Sequence, residues 1–400
     1  METAISRPSV FEARPVSATI PTAAERVAAI PWYVWCLAAA ATCDWFGGYW
    51  DISWHISIGR DTFWTPAHMM VYLAGILAGI ASGYTILATT FGSAEQPRDA
   101  SVSVWGFRGP LGCFIAAWGG VAMLTSAPFD NWWHAAYGLD VKIVSLPHSI
   151  LAFGEAMISF GAIVLVSAHV NRASGEYRRK LNRLLLYVGG IVTAGSALFI
   201  LESTPIEFMH SAGFYEAVAH AFPIALIAIS CVSASRWSAT TIAAIYMALF
   251  VALLWIFPLF PAEPKLGPVY QPVTHMVPLW FPLLLIVPAF ALDMLRRFTG
   301  ARWGSMATGI AAGFVYLAAF VAAQWPFADF LMSPAARNRI FGTIYFGFFD
   351  PANVTYNPYR FFTPPGSVHL LPGMGLALLW SIAFCCIGMA VGKWLKTVQR

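Results

Sequence analysis

The chain has 400 residues, of which 58% are hydrophobic and only 10% charged, with a mean hydropathy of +0.66. A soluble globular domain carries about 25% charged residues, so this balance excludes that class and predicts an all-α, polytopic transmembrane helix bundle. The net charge of +4 is not gathered into a basic patch, so no nucleic acid is expected as a partner, and the lipid bilayer is.

Residues 1–29 read as a polar N-terminal tail, without the compact apolar run and small-residue cleavage site of a signal peptide. Ten apolar runs follow, at 30–50, 66–91, 109–128, 148–169, 184–202, 216–235, 238–258, 276–295, 304–325 and 371–392. Each is of about twenty residues, enough to cross a hydrocarbon core of about 30 Å. Arg172, Arg178, Arg179, Lys180 and Arg183 fall in one loop, Arg296, Arg297 and Arg302 in another, and Lys393, Lys396 and Arg400 at the C-terminus. Basic loops face the cytoplasm, which predicts two cytoplasmic termini. The loops around 51–65, 129–147, 203–215, 259–275 and 326–370 then face outward, in a bacterial inner membrane toward the periplasm.

The six cysteines, Cys36, Cys43, Cys113, Cys231, Cys385 and Cys386, lie inside predicted spans with no CxxC pair. They read as small apolar residues. Histidine is one-sided: His55, His68, His134, His148, His210, His220, His275 and His369 fall at the outer ends, and only His169 at a cytoplasmic end. Asp44, Asp51, Asp130, Glu202, Glu207 and Glu216 share the outer half. Ionisable groups near membrane depth are costly and are functional candidates for that reason.

The first span ends with Asp51-Ile-Ser-Trp54-His55, whose i,i+4 spacing puts a carboxylate and an imidazole on one helical face. Thr65-Pro66-Ala67-His68 follows, with Thr65 at an N-cap, Pro66 at the first helical position and His68 in the first turn. Antiparallel neighbours joined by a short loop bring Asp51, His55 and His68 together. The pattern repeats as Asp130-Asn-Trp-Trp133-His134 and Ser145-Leu-Pro147-His148. One triad would equally suit an Asp–His hydrogen bond tying helix ends together, and the repetition favours metal binding. Imidazole with carboxylate suits copper, zinc or iron.

The string Asp51-x-x-Trp54-His55, Arg60-Asp61-Thr62, Thr65-Pro66-x-His68 resembles the signature of the C subunit of the copper membrane monooxygenases, the particulate methane and ammonia monooxygenases. The resemblance implies that Asp51, His55 and His68 bind one copper. The second set is similar to the neighbouring copper site of that family, with Asp130, Trp132, His134 and His148 at the matching positions. Asp130 stands where the family usually has Asn, and Pro147 lies immediately before the histidine instead of two before it. The likeness covers about residues 40–170. It implies a copper-dependent membrane oxidoreductase, or a subunit of one, that oxidises a small apolar substrate or ammonia with dioxygen. It further implies a quinol or external electron donor, and A- and B-type subunits or self-association as partners. A non-catalytic copper or zinc protein for storage, sensing or delivery needs the same ligands. Residues 30–170 thus read as a four-helix metal-binding half, and 171–400 as an additional six-span region with a long outward segment, 326–370.

Weaker candidates lie nearby. Asp44 and Glu155 sit two turns inward of Asp51 and His148, as orienting or proton-relay groups or as carboxylates satisfied by a neighbouring helix. Glu207, His210, Glu216 and His220 offer another Glu/His set, and His275 and His369 read as interface histidines. Trp50, Trp54, Trp64, Trp132 and Trp133 read partly as an aromatic belt.

Overall fold

A computed structural model describes residues 29–59, 61–92, 100–138, 145–265, 273–299, 302–346, 361–364 and 366–400. Nearly all of the expected polar tail, Arg60, and residues 347–360 of the long outward segment lie outside the described residues. The helices are α1 Trp32–Ser57, α2 Pro66–Phe91, α3 Leu111–Tyr137, α4 Leu146–Arg172, α5 Gly175–Phe199, α6 Ala212–Ala221, α7 Pro223–Val232, α8 Ser238–Ile256, α9 Ile286–Thr299, α10 Ser305–Leu331 and α11 Leu370–Thr397. An antiparallel hairpin between α2 and α3, β1 Val102–Val104 and β2 Phe107–Gly109, is the one sheet among the described residues and was not expected from the sequence.

Among the described residues, eight stretches are long and apolar enough to cross a membrane: α2, α3, α4, α5, α6 with α7, α8, α10 and α11. The protein is an integral membrane protein with about eight spans. Two of the ten expected runs differ from this set, for separate reasons. The first, α1, is 26 residues long, about 39 Å, but its Trp, Tyr and Asp residues leave it less apolar than its neighbours. The eighth, 276–295, is not one helix. Its first part, up to Leu284, has no regular secondary structure, and only 286–299 is helical.

Proline explains the difference. Pro278 and Pro282 lack the amide that a helix needs and bias the preceding residue away from helical geometry. Irregular backbone at membrane depth survives only where protein groups satisfy it. Here single side chains do so. Ser53 donates to the Val277 carbonyl at 2.6 Å, while Ser57 accepts the Val277 amide at 2.7 Å. Tyr49 accepts from Leu279 at 2.9 Å, Tyr246 from Leu283 at 3.0 Å, and the Gln324 amide oxygen from Leu284 at 3.0 Å. The following α9 is pinned in turn by Asp293, which accepts the Ala239 and Thr240 amides and the Thr240 hydroxyl at the start of α8.

These contacts position the outer end of α1. Ser53 and Ser57 hold the irregular segment, and the Ile58 carbonyl accepts from Lys265 at 2.9 Å. Residues 51 and 55 are turned to the opposite side, toward α2. The first four helices pack closely enough to bring their backbones together. A Cβ at Gly119 would lie 2.7 Å from the Gly154 carbonyl on α4, and one at Gly47 would lie 2.9 Å from the Val71 amide on α2. Close approach of small residues is how membrane helices gain packing energy without a hydrophobic drive between them. At the other end of the bundle, Asn171 donates to the Leu395 and Val398 carbonyls, and Tyr33 at the start of α1 meets His169 at 3.4 Å. The start of α1 and the end of α11 therefore share one face of the bundle.

Candidate metal clusters

Each of the first two helix hairpins ends its first helix in the same way. α1 continues past Asp51 and His55, and Gly59 then turns the chain with a φ of +90°. α3 continues past Asp130 and His134, and Gly138 turns it with a φ of +88°. Positive φ at a helix C-terminus suits glycine because no Cβ clashes there. In both hairpins the glycine four residues after the histidine presents its carbonyl to the ring. His55 Nδ1 lies 3.3 Å from the Gly59 carbonyl, and His134 Nδ1 lies 3.1 Å from the Gly138 carbonyl.

The second helix of each hairpin starts with its histidine at the third helical position. In α2, Thr65 is the N-cap and Pro66 the first residue; in α4, Ser145 is the N-cap and Pro147 the second residue. The one-residue shift of proline therefore leaves the histidine where it was. Ser145 accepts the His148 amide at 3.3 Å, whereas Thr65 accepts the Thr62 amide, outside the helix, at 2.8 Å. His68 Nδ1 is held by the Thr62 carbonyl at 2.9 Å.

The ring nitrogens that remain converge on carboxylates. Among the described residues two groups form, Asp51, His55, Asp61 and His68 in one and Asp130, His134 and His148 in the other, each with its ligand atoms within 4.8 Å of one another. In the first, His55 Nε2 lies 3.6 Å from Asp51 and 3.5 Å from Asp61, and His68 Nε2 lies 3.1 Å from each. In the second, His134 Nε2 lies 3.4 Å and His148 Nε2 3.5 Å from Asp130. Two donors about 2.0–2.2 Å from one tetrahedral ion stand about 3.3–3.6 Å apart. Most of the observed separations fall in that range.

The tethers decide what these nitrogens can do. A carbonyl only accepts, so Nδ1 of His55, His68 and His134 carries the proton, and a neutral ring then aims the Nε2 lone pair at carboxylate lone pairs. Oδ1 of Asp51 and of Asp130 is buried without a hydrogen bond, although a ring nitrogen lies close by. Such an arrangement is repulsive until a cation, or an added proton on each ring, enters it. With nitrogen and oxygen donors only, the sets fit a divalent transition metal. The six cysteines are all free thiols.

Asp61 was part of the motif string but was not expected as a ligand. It sits in the loop between α1 and α2, 3.1 Å from His68 Nε2, and with that nitrogen protonated the hydrogen bond from His68 holds its carboxyl below the usual carboxylate range. The first cluster thus carries two carboxylates and the second one. Tyr72, one turn beyond His68, stands within electrostatic reach of Asp51 and Asp61 in the first cluster and of Asp130 in the second. Aromatic rings rim them: Phe63 packs on Trp64 at 4.9 Å, and Trp133 on Tyr137 at 4.7 Å.

No protein-family model, curated protein or solved structure matches this chain.

The weaker Glu/His set does not assemble. The His210 ring lies between Trp325 at 4.1 Å and Phe361 at 3.7 Å, with Nε2 on the Trp325 carbonyl at 3.1 Å. His220 packs instead against Trp380 and Phe384. Burial pushes the Glu207 carboxyl above its ordinary value, yet Glu207 joins no group of three ligands among the described residues. His275 stands beside Tyr345 and His369 at the N-cap of α11.

Proposed function

We propose that the protein is a copper-dependent membrane oxidoreductase of the monooxygenase type, or a subunit of one, with one metal ion at each cluster. The observation that carries the metal is the set of Nδ1 tethers, which aim imidazole Nε2 atoms at carboxylates. Copper is favoured over zinc and iron by the resemblance of the Asp51, His55, His68 string to the copper membrane monooxygenases. Bound copper would supply one-electron exchange and dioxygen chemistry.

The chain's own residues do the rest. Asp51, His55 and His68, joined by Asp61, hold one ion, and Asp130, His134 and His148 hold the other. Gly59, Gly138 and Thr62 carbonyls orient the rings, a role that outer hydrogen bonds play at metal sites generally. Exposed Trp64 and Trp132 support a position of the clusters at a membrane interface, where a small apolar substrate or ammonia and a quinol or external electron donor would have access. In this reading α1 and the irregular segment with α9 also cross the bilayer. Both termini then lie in the cytoplasm of a bacterial cell, and the clusters face the periplasm. A- and B-type subunits or further copies of the chain are the expected partners.

A second reading, storage or delivery of copper or zinc without catalysis, is favoured by Asp61, which gives the first cluster four donors. The two readings part in one experiment. Copper-loaded protein is supplied with a quinol and with short alkanes, alkenes or ammonia, and oxygen uptake is followed. Substrate-dependent uptake supports the oxidoreductase; full copper occupancy without uptake supports the holding protein. Absence of bound metal after loading with copper and, separately, with zinc overturns both.

A further inference from the structure

Below the clusters the same helices carry another pair of acids. Asp44 precedes Asp51 by seven residues on α1, and Glu155 follows His148 by seven on α4. Seven residues return to nearly the same helical face about 10.5 Å along the axis. Both carboxyls are therefore displaced inward from the ligands by the same distance. Residues flanking them in sequence, Ala40 and Cys43 on α1 and Leu151 and Ile158 on α4, pack together with Met123 of α3 in one small apolar cluster. The acids thus border a dry compartment inside the four-helix bundle.

Three facts make them a site. Asp44 and Glu155 are within electrostatic reach of each other, and Glu155 is within reach of Asp51. Asp44 is only 8% exposed, and its Oδ1 is buried without a hydrogen-bond partner. Helices α1 to α4 contain no Lys or Arg except Arg172, at the far end of α4. A nearly buried carboxylate with an unpartnered oxygen, close to a second carboxyl on helices whose one basic residue lies at the far end, is disfavoured as an anion. A bound positive charge removes the conflict.

We propose that Asp44 and Glu155 form a third cation-binding site inside the bundle, holding a proton or a metal ion between two carboxyls. The site does not depend on copper at the clusters. It gives the protein a place to keep positive charge at membrane depth, in line with the metal ligands above it.

The test compares the full-length protein with its Asp44→Asn/Glu155→Gln variant, both in detergent and both loaded with Cu2+ or with Zn2+. If a metal occupies the site, the variant loses one equivalent, separate from the equivalent lost in a His55→Ala/His68→Ala variant. If a proton occupies it, metal content is unchanged, and an infrared carboxylic-acid carbonyl band that shifts in D2O is present in the parent and missing from the variant. Unchanged metal content together with an unchanged acid band overturns the proposal. The single Glu155→Gln variant, which keeps the side chain's shape, is read in the same way should the double variant fail to accumulate. The infrared arm stands even if neither cluster binds metal, so failure here and failure of the copper reading are told apart.

Discussion

The hairpins α1–α2 and α3–α4 reach nearly the same geometry from sequences that agree at few positions. Both end the first helix with Asp, then His one turn later, then a positive-φ glycine one turn after that, and both start the second helix with His at the third position. What differs lies in the connection. Asp61 turns back from the loop into the first cluster, and Thr65 spends its hydroxyl on the loop amide of Thr62 where Ser145 caps its helix. The comparison separates two kinds of requirement. Ring orientation rests on backbone carbonyls and is repeated; the number of carboxylates rests on a loop side chain, and only the first set of described residues contains that fourth donor.

The largest effect expected is loss of ligands. His55→Ala/His68→Ala is expected to remove one metal equivalent and leave the second, and His134→Ala/His148→Ala to do the converse, as read by elemental analysis of the purified variants. Loss of both equivalents from either variant would mean that the hairpins are not independent.

Next comes Gly138→Ala. The left-handed turn would cost about 1–3 kcal/mol with a Cβ present, and the displaced carbonyl would release the His134 ring. Disturbing such an outer partner lowers metal affinity about 10–100-fold. Gly59→Ala should weaken the first cluster to a similar degree. A competition assay against a chelator measures both, and an effect confined to one glycine would break the symmetry argued above. Asp61→Asn is a sharper probe of the difference between hairpins. It should weaken only the first cluster, by about 10-fold or more on the same scale of magnitudes, with the second unchanged. The smallest effect belongs to the caps. Ser145→Ala removes a helix-capping bond worth about 1 kcal/mol, whereas Thr65→Ala leaves the helix amides as they were, so thermal unfolding should register the first more than the second.

Much of this was legible in the chain. The i,i+4 Asp/His pairs and the proline-marked starts of α2 and α4 are local signals, and local signals survive into the fold. Gly59 and Gly138 were equally visible at the same offset from their histidines, but their meaning depends on a φ that only the folded turn reveals. Asp61 could not be assigned because nothing in a loop's sequence says which way the side chain returns. The eighth expected span is not one continuous helix for a related reason. Its apolar composition predicts a helix, while Pro278 and Pro282 forbid one, and the groups that make an irregular course tolerable, Tyr49, Ser53, Ser57, Tyr246 and Gln324, are scattered over three other helices. Glu207, His210, Glu216 and His220, the weaker candidates, are close in sequence, but their histidines pack against different rings, His210 against Trp325 and His220 against Trp380.

The central claim is that imidazole Nε2 atoms and carboxylates at the ends of these two hairpins hold metal ions. X-ray absorption of the copper-loaded protein tests it most directly. The account predicts nitrogen and oxygen neighbours at about 2.0 Å with imidazole scattering that falls by about half in His134→Ala/His148→Ala. Sulfur scattering at about 2.3 Å, or imidazole scattering unaffected by either pair of histidine substitutions, would contradict it.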